Sequence, residues 1–469
     1  MDQHAGTQDG DPADPDDKQF SGIVAISPKG DVILDVVFDT SRETLKSARK
    51  SAQIRPGQVR HAIKAKARVG FRVELAILKK HSKYFENLLS DSRFREAKSI
   101  ADAFAKLSLR NVRPEDAGMD DLPWVEIIDD DEATRSLGRE SAFGDLMRIL
   151  HGKETTTKPP TMSYVAILAV LADRFDCAAP VSRYLNMGLK FKWPSTHLRA
   201  SRDDREGPSQ SLTSASEEQL RQKILASWLL DQPTKMFVAT RELIMYGSSR
   251  WSPYPEYETN GATWWDLSDH LEKELQYRRE CILNTIASTL QHFLRLYTSR
   301  NRQCKLGYDS SAACDSYQLG EMIKFLTSRH LLYLVDFSPA SVDWVPDSAL
   351  VDISHILATL KKCPSYQIDK NHTNCGLRTR ILPIAEYIQT MLSSNVVAIS
   401  RAAWKKDRAS TSWIPTQEDQ IGRDGGEGAF RFTRSAAGDQ RLRYEGAMAA
   451  DRLARQLFTA RSWDWTPED

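Results

Sequence analysis

The chain has 469 residues, enough for two or three domains, and 41% of them are hydrophobic, enough for sizeable cores. Its 64 Lys and Arg balance 63 Asp and Glu, so no global field draws it onto nucleic acid or an anionic membrane, and any such role must be local. Six cysteines, five of them beyond residue 280, are too sparse for a disulfide framework and fit a reducing compartment.

Residues 1–20, MDQHAGTQDGDPADPDDKQF, are acidic and polar and read as a disordered tail without a signal-peptide core. The longest apolar run, YVAILAVLA at 164–172, falls far short of a bilayer span, so the expected location is cytosol or nucleus, with no membrane contact. GDVILDVVF at 30–38 reads as a turn and then a strand covered on both faces. Residues 41–68 carry nine Lys or Arg and one acid, Glu43, and read as a basic insertion. A short extended piece, FRVELA, leads from it into a helix over 75–89. There Leu75, Leu78, Ser82, Phe85 and Leu89 share one face, with Lys79, Lys80, Lys83 and Glu86 opposite. Residues 99–123, with Pro and Gly breakers, read as a second insertion.

WVEIIDDDE at 124–132 reads as a strand whose trailing carboxylates are placed to cap the next helix. That helix carries Phe143, Leu146, Met147 and Leu150 on one face and ends at Gly152. Tyr164, Ile167, Leu168, Leu171 and Phe175 repeat the spacing, and the unit closes near Trp193. Residues 194–218, rich in Ser, Arg and Asp, read as a linker. Beyond it, Leu220, Ile224 and Trp228 step by fours. Leu267, Leu271, Leu275, Ile282, Ile286, Leu290, Phe293 and Tyr297 then keep a helical stripe over roughly eight turns. No strand alternation interrupts 219–403, which is expected to be all-α, and 404–469 is expected to be a mobile tail.

GDVILDV at 30–36, LAILKKHSKYFENLL at 75–89, FRE at 94–96, VEIIDDDE at 125–132, FGDLMRILHG at 143–152 and LADRFDC at 171–177 together resemble a BTB/POZ domain. Six separated pieces agree in order, apart from the two insertions. Val73 and Glu74 stand where many animal members have Ala-His, which is closer to fungal members. The chain over 21–403 resembles a fungal group in which a BTB-like domain precedes a helical region ending in HxxCGLR, here His372 to Arg378. The resemblance implies a small three-stranded sheet with helices at 21–193 followed by the all-α domain. It also implies protein partners, a homodimer through the BTB unit, and recruitment of a cullin-type ubiquitin ligase. In that last role Phe94 would enter a pocket and Glu96 would make a charge-assisted hydrogen bond at its rim. The alternative reading has Phe94 closing the BTB core, with Glu96 solvated.

Five later residues raise a metal hypothesis: Cys304 and Cys314 in CKLGYDSSAAC, and Cys363, His372 and Cys375 in CPSYQIDKNHTNCG. Zinc takes four such ligands, although the first pair is wider than a usual knuckle and buried cysteines often only pack. Cys177 and Cys281 read as core. The basic insertion, with Arg49, Lys50, Arg55, Arg60, Lys64, Lys66 and Arg68, offers a competing role on nucleic acid or chromatin, or a contact with the acidic N-terminus. It lacks the interleaved aromatics that stack on bases, so it reads first as a solvated or partly helical loop. There is no phosphate-binding glycine loop, no G-x-S-x-G and no H-E-x-x-H, so catalysis is not expected. The expected function is that of an interaction adaptor.

Overall fold

Gly30 and Asp31 turn the chain into a strand that β-branched residues then hold, and this strand organises the sheet of the first unit. In the computed structural model the described residues are 20–54, 65–195, 212–248, 251, 270–335, 351–415, 429–443 and 448–466. The chain divides into two units. One comprises 1–193 with 229–232 and 258–265; the other comprises 194–228, 233–257 and 266–469. The expected disordered residues 1–19 lie outside the description.

The first unit is built on β1 (Phe20–Ala25), β2 (Val32–Asp39), β3 (Lys66–Val73) and β4 (Trp124–Asp130). They form one mixed sheet in the order β1-β3-β2-β4, with β2 antiparallel to β3 and parallel to β4. The sheet therefore has four strands and not three: β1 adds to β3 in parallel. Its sequence, FSGIVA, is too short and too broken by Gly22 to announce a strand. Val32, Ile33, Leu34, Val36 and Phe38 on the inner strand β2 are all buried, as a run apolar on both faces requires. A Cβ at Gly30 would come within 2.8 Å of the Val73 amide nitrogen, so only glycine lets β2 and β3 approach there. Asp31 Oδ1 accepts the Leu75 N–H (2.7 Å) and starts the next helix.

Helices α1 (Arg42–Ile54), α2 (Leu75–His81), α3 (Lys83–Ser90), α4 (Arg95–Leu109), α5 (Arg139–Leu150), α6 (Met162–Arg174) and α7 (Ala178–Arg183) complete this unit. The stripe at 75–89 is buried as expected, but on two helices. Ser82 is extended between them, accepting the Phe85 N–H (3.1 Å) and donating to the Phe175 carbonyl (2.6 Å). Phe85 stacks on Phe175 at 5.5 Å, and Phe143 meets Phe175 edge-on at 5.3 Å, so three distant sequence pieces share one core.

Several expectations need correction. Residues 99–109 of the second insertion are not set apart from the elements before them; they continue α4, whose Leu107 packs with Ile33, Ala117 and Leu122. The basic insertion opens as helix α1 and ends inside β3. Lys66 faces Asp39 there, and Arg68 grips Asp35 (Nε–Oδ1 2.9 Å). Arg49 lies on α1, whereas Arg55, Arg60 and Lys64 are outside the described residues. The carboxylates after β4 do not cap α5, which begins later, at Arg139 behind Gly138. Instead Asp129, fully buried, lies between Arg139 (3.0 Å) and Arg174 (2.9 Å), Asp130 pairs with Arg174 (2.9 Å), and Asp131 accepts the Ser41 hydroxyl (2.9 Å).

The second unit contains α8 (Ser214–Leu229), α9 (Pro233–Tyr246), α10 (Leu271–Thr298), α11 (Ser311–Ser328), α12 (Ile353–Lys361), α13 (Leu377–Leu392), α14 (Arg401–Lys406), α15 (Arg408–Thr411), α16 (Arg434–Gly438) and α17 (Met448–Phe458). Helix α8 begins inside the expected linker, and 196–211 lie outside the description. The long stripe is α10, with Leu275, Ile282, Ile286, Leu290, Phe293 and Tyr297 buried; Leu267 falls outside the description.

Among the described residues of 219–403 every regular element is helical, as expected. One expectation fails in this unit: 404–469 is not a loose tail. β5 (Ala429–Arg431) and β6 (Ser462–Asp464) pair in parallel there, Trp413, Phe432, Leu457, Phe458 and Trp465 are buried, and α17 and β6 pack on α10. These apolar residues are spaced too widely among Arg, Asp and Gly to show a period. The unit is thus mixed α/β like the first. No helix among the described residues is long and apolar enough to cross a membrane.

Candidate metal centre

Four of the five proposed ligands converge. Cys304, Cys314, His372 and Cys375 place one donor atom each within 4.8 Å of every other, and all but Cys375 are buried. His372 Nδ1 is 3.5 Å from Cys304 Sγ and 3.6 Å from Cys375 Sγ, and the Cys304 and Cys375 sulfurs are 3.8 Å apart. A tetrahedral ion with bonds of about 2.3 Å to sulfur and about 2.0–2.1 Å to nitrogen requires S···S edges of about 3.8 Å and S···N edges of about 3.6 Å. These three edges match those values and Cys314 Sγ lies within 4.8 Å of the other donors, so the group could hold a metal ion.

Local sequence explains how the donors meet. After α10 ends, Asp315 near the start of α11 accepts the N–H groups of Gln303 (2.7 Å) and Cys304 (3.2 Å), folding the loop back beside Cys314. The wide spacing between Cys304 and Cys314 is therefore a loop returning onto a helix and not a knuckle. On the other side, Asp369 accepts the Asn371 N–H (2.8 Å), and the Cys375 N–H reaches the His372 carbonyl (3.3 Å), closing a tight turn.

The rest of HxxCGLR anchors that turn. A Cβ at Gly376 would lie 3.0 Å from the Tyr366 carbonyl oxygen, Leu377 is fully buried, and Arg378 donates to the carbonyls of Cys363 (2.7 Å) and Lys361 (3.3 Å) at the end of α12.

Charge completes the argument. Burial, with the neighbouring Cys375 and Cys304 sulfurs, pushes the Cys314 thiol up to about 12. Burial and Cys304 likewise raise Cys375. At Cys304 burial also acts upward, but the Ser311 hydroxyl and Leu306 N–H outweigh it and leave the thiol below its ordinary range. Three thiols this close cannot all ionise by themselves; a dication among them reverses the balance, because thiolates are its ligands.

Cys363 is not part of the group. It is buried, with Sγ 3.7 Å from the Pro364 carbonyl, and burial raises its thiol to about 11. Cys177 and Cys281 are buried elsewhere, each raised by burial to about 12. Two residues that the sequence did not mark stand behind His372: Ser310, whose Oγ is 3.0 Å from Nε2, and Asp369, which accepts from that hydroxyl at 2.5 Å. In the sequence, DSSAAC reads as an ordinary helix start, so nothing distinguishes Ser310.

In the first unit, Phe94 precedes α4 at its N-cap position with 41% of its surface exposed, and half-buried Glu96 follows in the first turn. Phe94 therefore does not close the core; Phe85, Phe143 and Phe175 do. Comparison with family models, curated proteins and solved structures gives no match for this chain.

Proposed function

We propose that the chain is a non-catalytic interaction protein of the BTB/POZ type, an adaptor whose second unit is stapled by a structural zinc ion. The observation that carries this reading is the Cys304–Cys314–His372–Cys375 set. Four protein donors at tetrahedral spacing use every position of the ion and leave none for water or substrate, which is the arrangement of a structural and not a catalytic site. Soft sulfur with one imidazole favours zinc over calcium or magnesium, which take oxygen. Such a staple ties the loop after α10, the first turn of α11 and the turn before α13, and it leaves binding as the work of the surface.

The BTB reading is supported by β2 and β4 lying side by side in one sheet and by Phe85, Phe143 and Phe175 meeting in one core, as the order of the six fragments requires. The adaptor role rests on exposed Phe94 beside Glu96, offered to a cullin-type scaffold, and on pairing of two copies through this unit. The competing role on nucleic acid is weakened by Lys66 and Arg68, whose charges already face Asp39 and Asp35.

Elemental analysis of the purified chain tests the staple: one zinc per chain and a large loss of stability with chelator are expected, since structural zinc contributes about 10–16 kcal/mol. Much less than one zinc refutes it. Capture of a cullin by the wild type but not by Phe94→Ala tests the adaptor role, and equal capture by both removes the assigned contact.

A further inference from the structure

We infer that Ser310 and Asp369 are positioning residues that fix the tautomer of His372 and aim its Nδ1 at the metal. This rests on the zinc reading above. Imidazole binds a metal through one nitrogen only when the other carries the proton, and a hydrogen-bond acceptor at that second nitrogen decides which one it is.

The acceptor here is Ser310 Oγ, 3.0 Å from Nε2. A hydroxyl is ambivalent, able to donate or accept. Its direction is set by Asp369, whose Oδ2 takes the Ser310 hydrogen at 2.5 Å, so the oxygen lone pairs are left to receive Nε2–H. Asp369 is itself held by the Asn371 N–H on Oδ1 (2.8 Å). The chain Asp369–Ser310–His372 thus leaves the Nδ1 lone pair facing Cys304 and Cys375.

A second, independent feature agrees. Ser310 occupies the N-cap position of α11, where serine ordinarily accepts an N–H from the first turn, yet its side chain caps nothing. Its hydroxyl is committed to the histidine instead. His372 is completely buried, so no water offers Nε2 an alternative partner.

The test is a double-mutant cycle on the full chain, reading zinc affinity by competition with a chromophoric chelator. Ser310→Ala is expected to weaken zinc binding by about 10–100-fold, as loss of such a partner does elsewhere, and Ser310→Thr to restore it. In a His372→Cys background, where no imidazole needs orienting, Ser310→Ala should cost nothing further. An equal loss in both backgrounds would show that Ser310 only braces the loop and would overturn the inference, as would unchanged affinity in the His372 background. A wild-type chain that takes up no zinc overturns the metal reading itself, and this inference with it.

Discussion

Arg278 should be the residue on which the carboxy-terminal region of the second unit depends. It is 1% exposed, and its guanidinium donates to Glu274 (2.7 Å), to the carbonyls of Val396 and Ala398 (both 2.8 Å) and to that of Thr411 (2.9 Å). Glu274 in turn accepts the Ser412 hydroxyl (2.6 Å) and the Trp413 N–H (2.8 Å). One ion pair on α10 therefore holds the segment from 396 to 413. Arg278→Met keeps most of the volume but strips Glu274 of its cation, a change that costs about 3–5 kcal/mol when the pair is buried.

The three orphaned carbonyls, at about 1–3 kcal/mol each if nothing else reaches them, overlap with that figure and do not add to it, because all share one guanidinium. Arg278→Lys keeps the charge but not the fork and should cost about 1–3 kcal/mol. Urea unfolding followed by tryptophan fluorescence, with limited proteolysis between α13 and α17, reads both effects. The order of stability should be wild type, then Lys, then Met, with earlier cleavage near 396–413. A Met variant that unfolds at the wild-type midpoint and resists protease equally would refute the claim that this pair anchors the segment.

Three further outcomes are expected. Phe85→Ala should cost the first unit about 3–5 kcal/mol, because the ring is fully buried against Phe175, whereas Phe94→Ala should change stability by no more than about 0.5 kcal/mol; thermal denaturation of the two side by side checks the contrast. Trp465→Ala should cost about 3–5 kcal/mol, since the indole is completely buried and donates to Ser288 Oγ (2.9 Å); a loss near zero in urea titration would return this region to the status of a tail.

Asp145 gives a pH signature. Burial acts to raise its carboxyl, but the N–H of Thr156, the hydroxyls of Tyr164 and Thr156 and the N–H of Thr157 outweigh it and leave the group below its ordinary range. A folded pKa below the unfolded value of about 3.9 contributes stability that is present above about pH 4 and disappears as pH falls through the folded value. The stability gap between wild type and Asp145→Asn should therefore narrow below about pH 4, and a gap constant down to pH 2 would exclude the assigned hydrogen bonds.

What the sequence alone determined was the set of elements whose side chains repeat with a period. The stripe from Leu75 to Leu89, the helices around Phe143 and Tyr164, the strands at 32–38 and 124–130, and the long helix through Leu290 were all legible, because burial on one face writes itself into spacing. The metal donors were legible as residue types, since cysteine and histidine carry their chemistry in any fold. Tertiary structure decided what periodicity does not encode. Strand β1, α4 beyond residue 99 and the β5–β6 pair owe their existence to neighbours distant in sequence. So does the burial of Trp465 and Phe432, whose surroundings give no local pattern. The acids at 129–131 look like caps until Arg139 and Arg174 close on Asp129. Cys363 is chemically indistinguishable from Cys304 in the sequence and differs only in where its sulfur points. Ser310 acquires its role from a histidine 62 residues away. Spacing records which face of an element is covered, but which partner covers it is settled only when the chain folds.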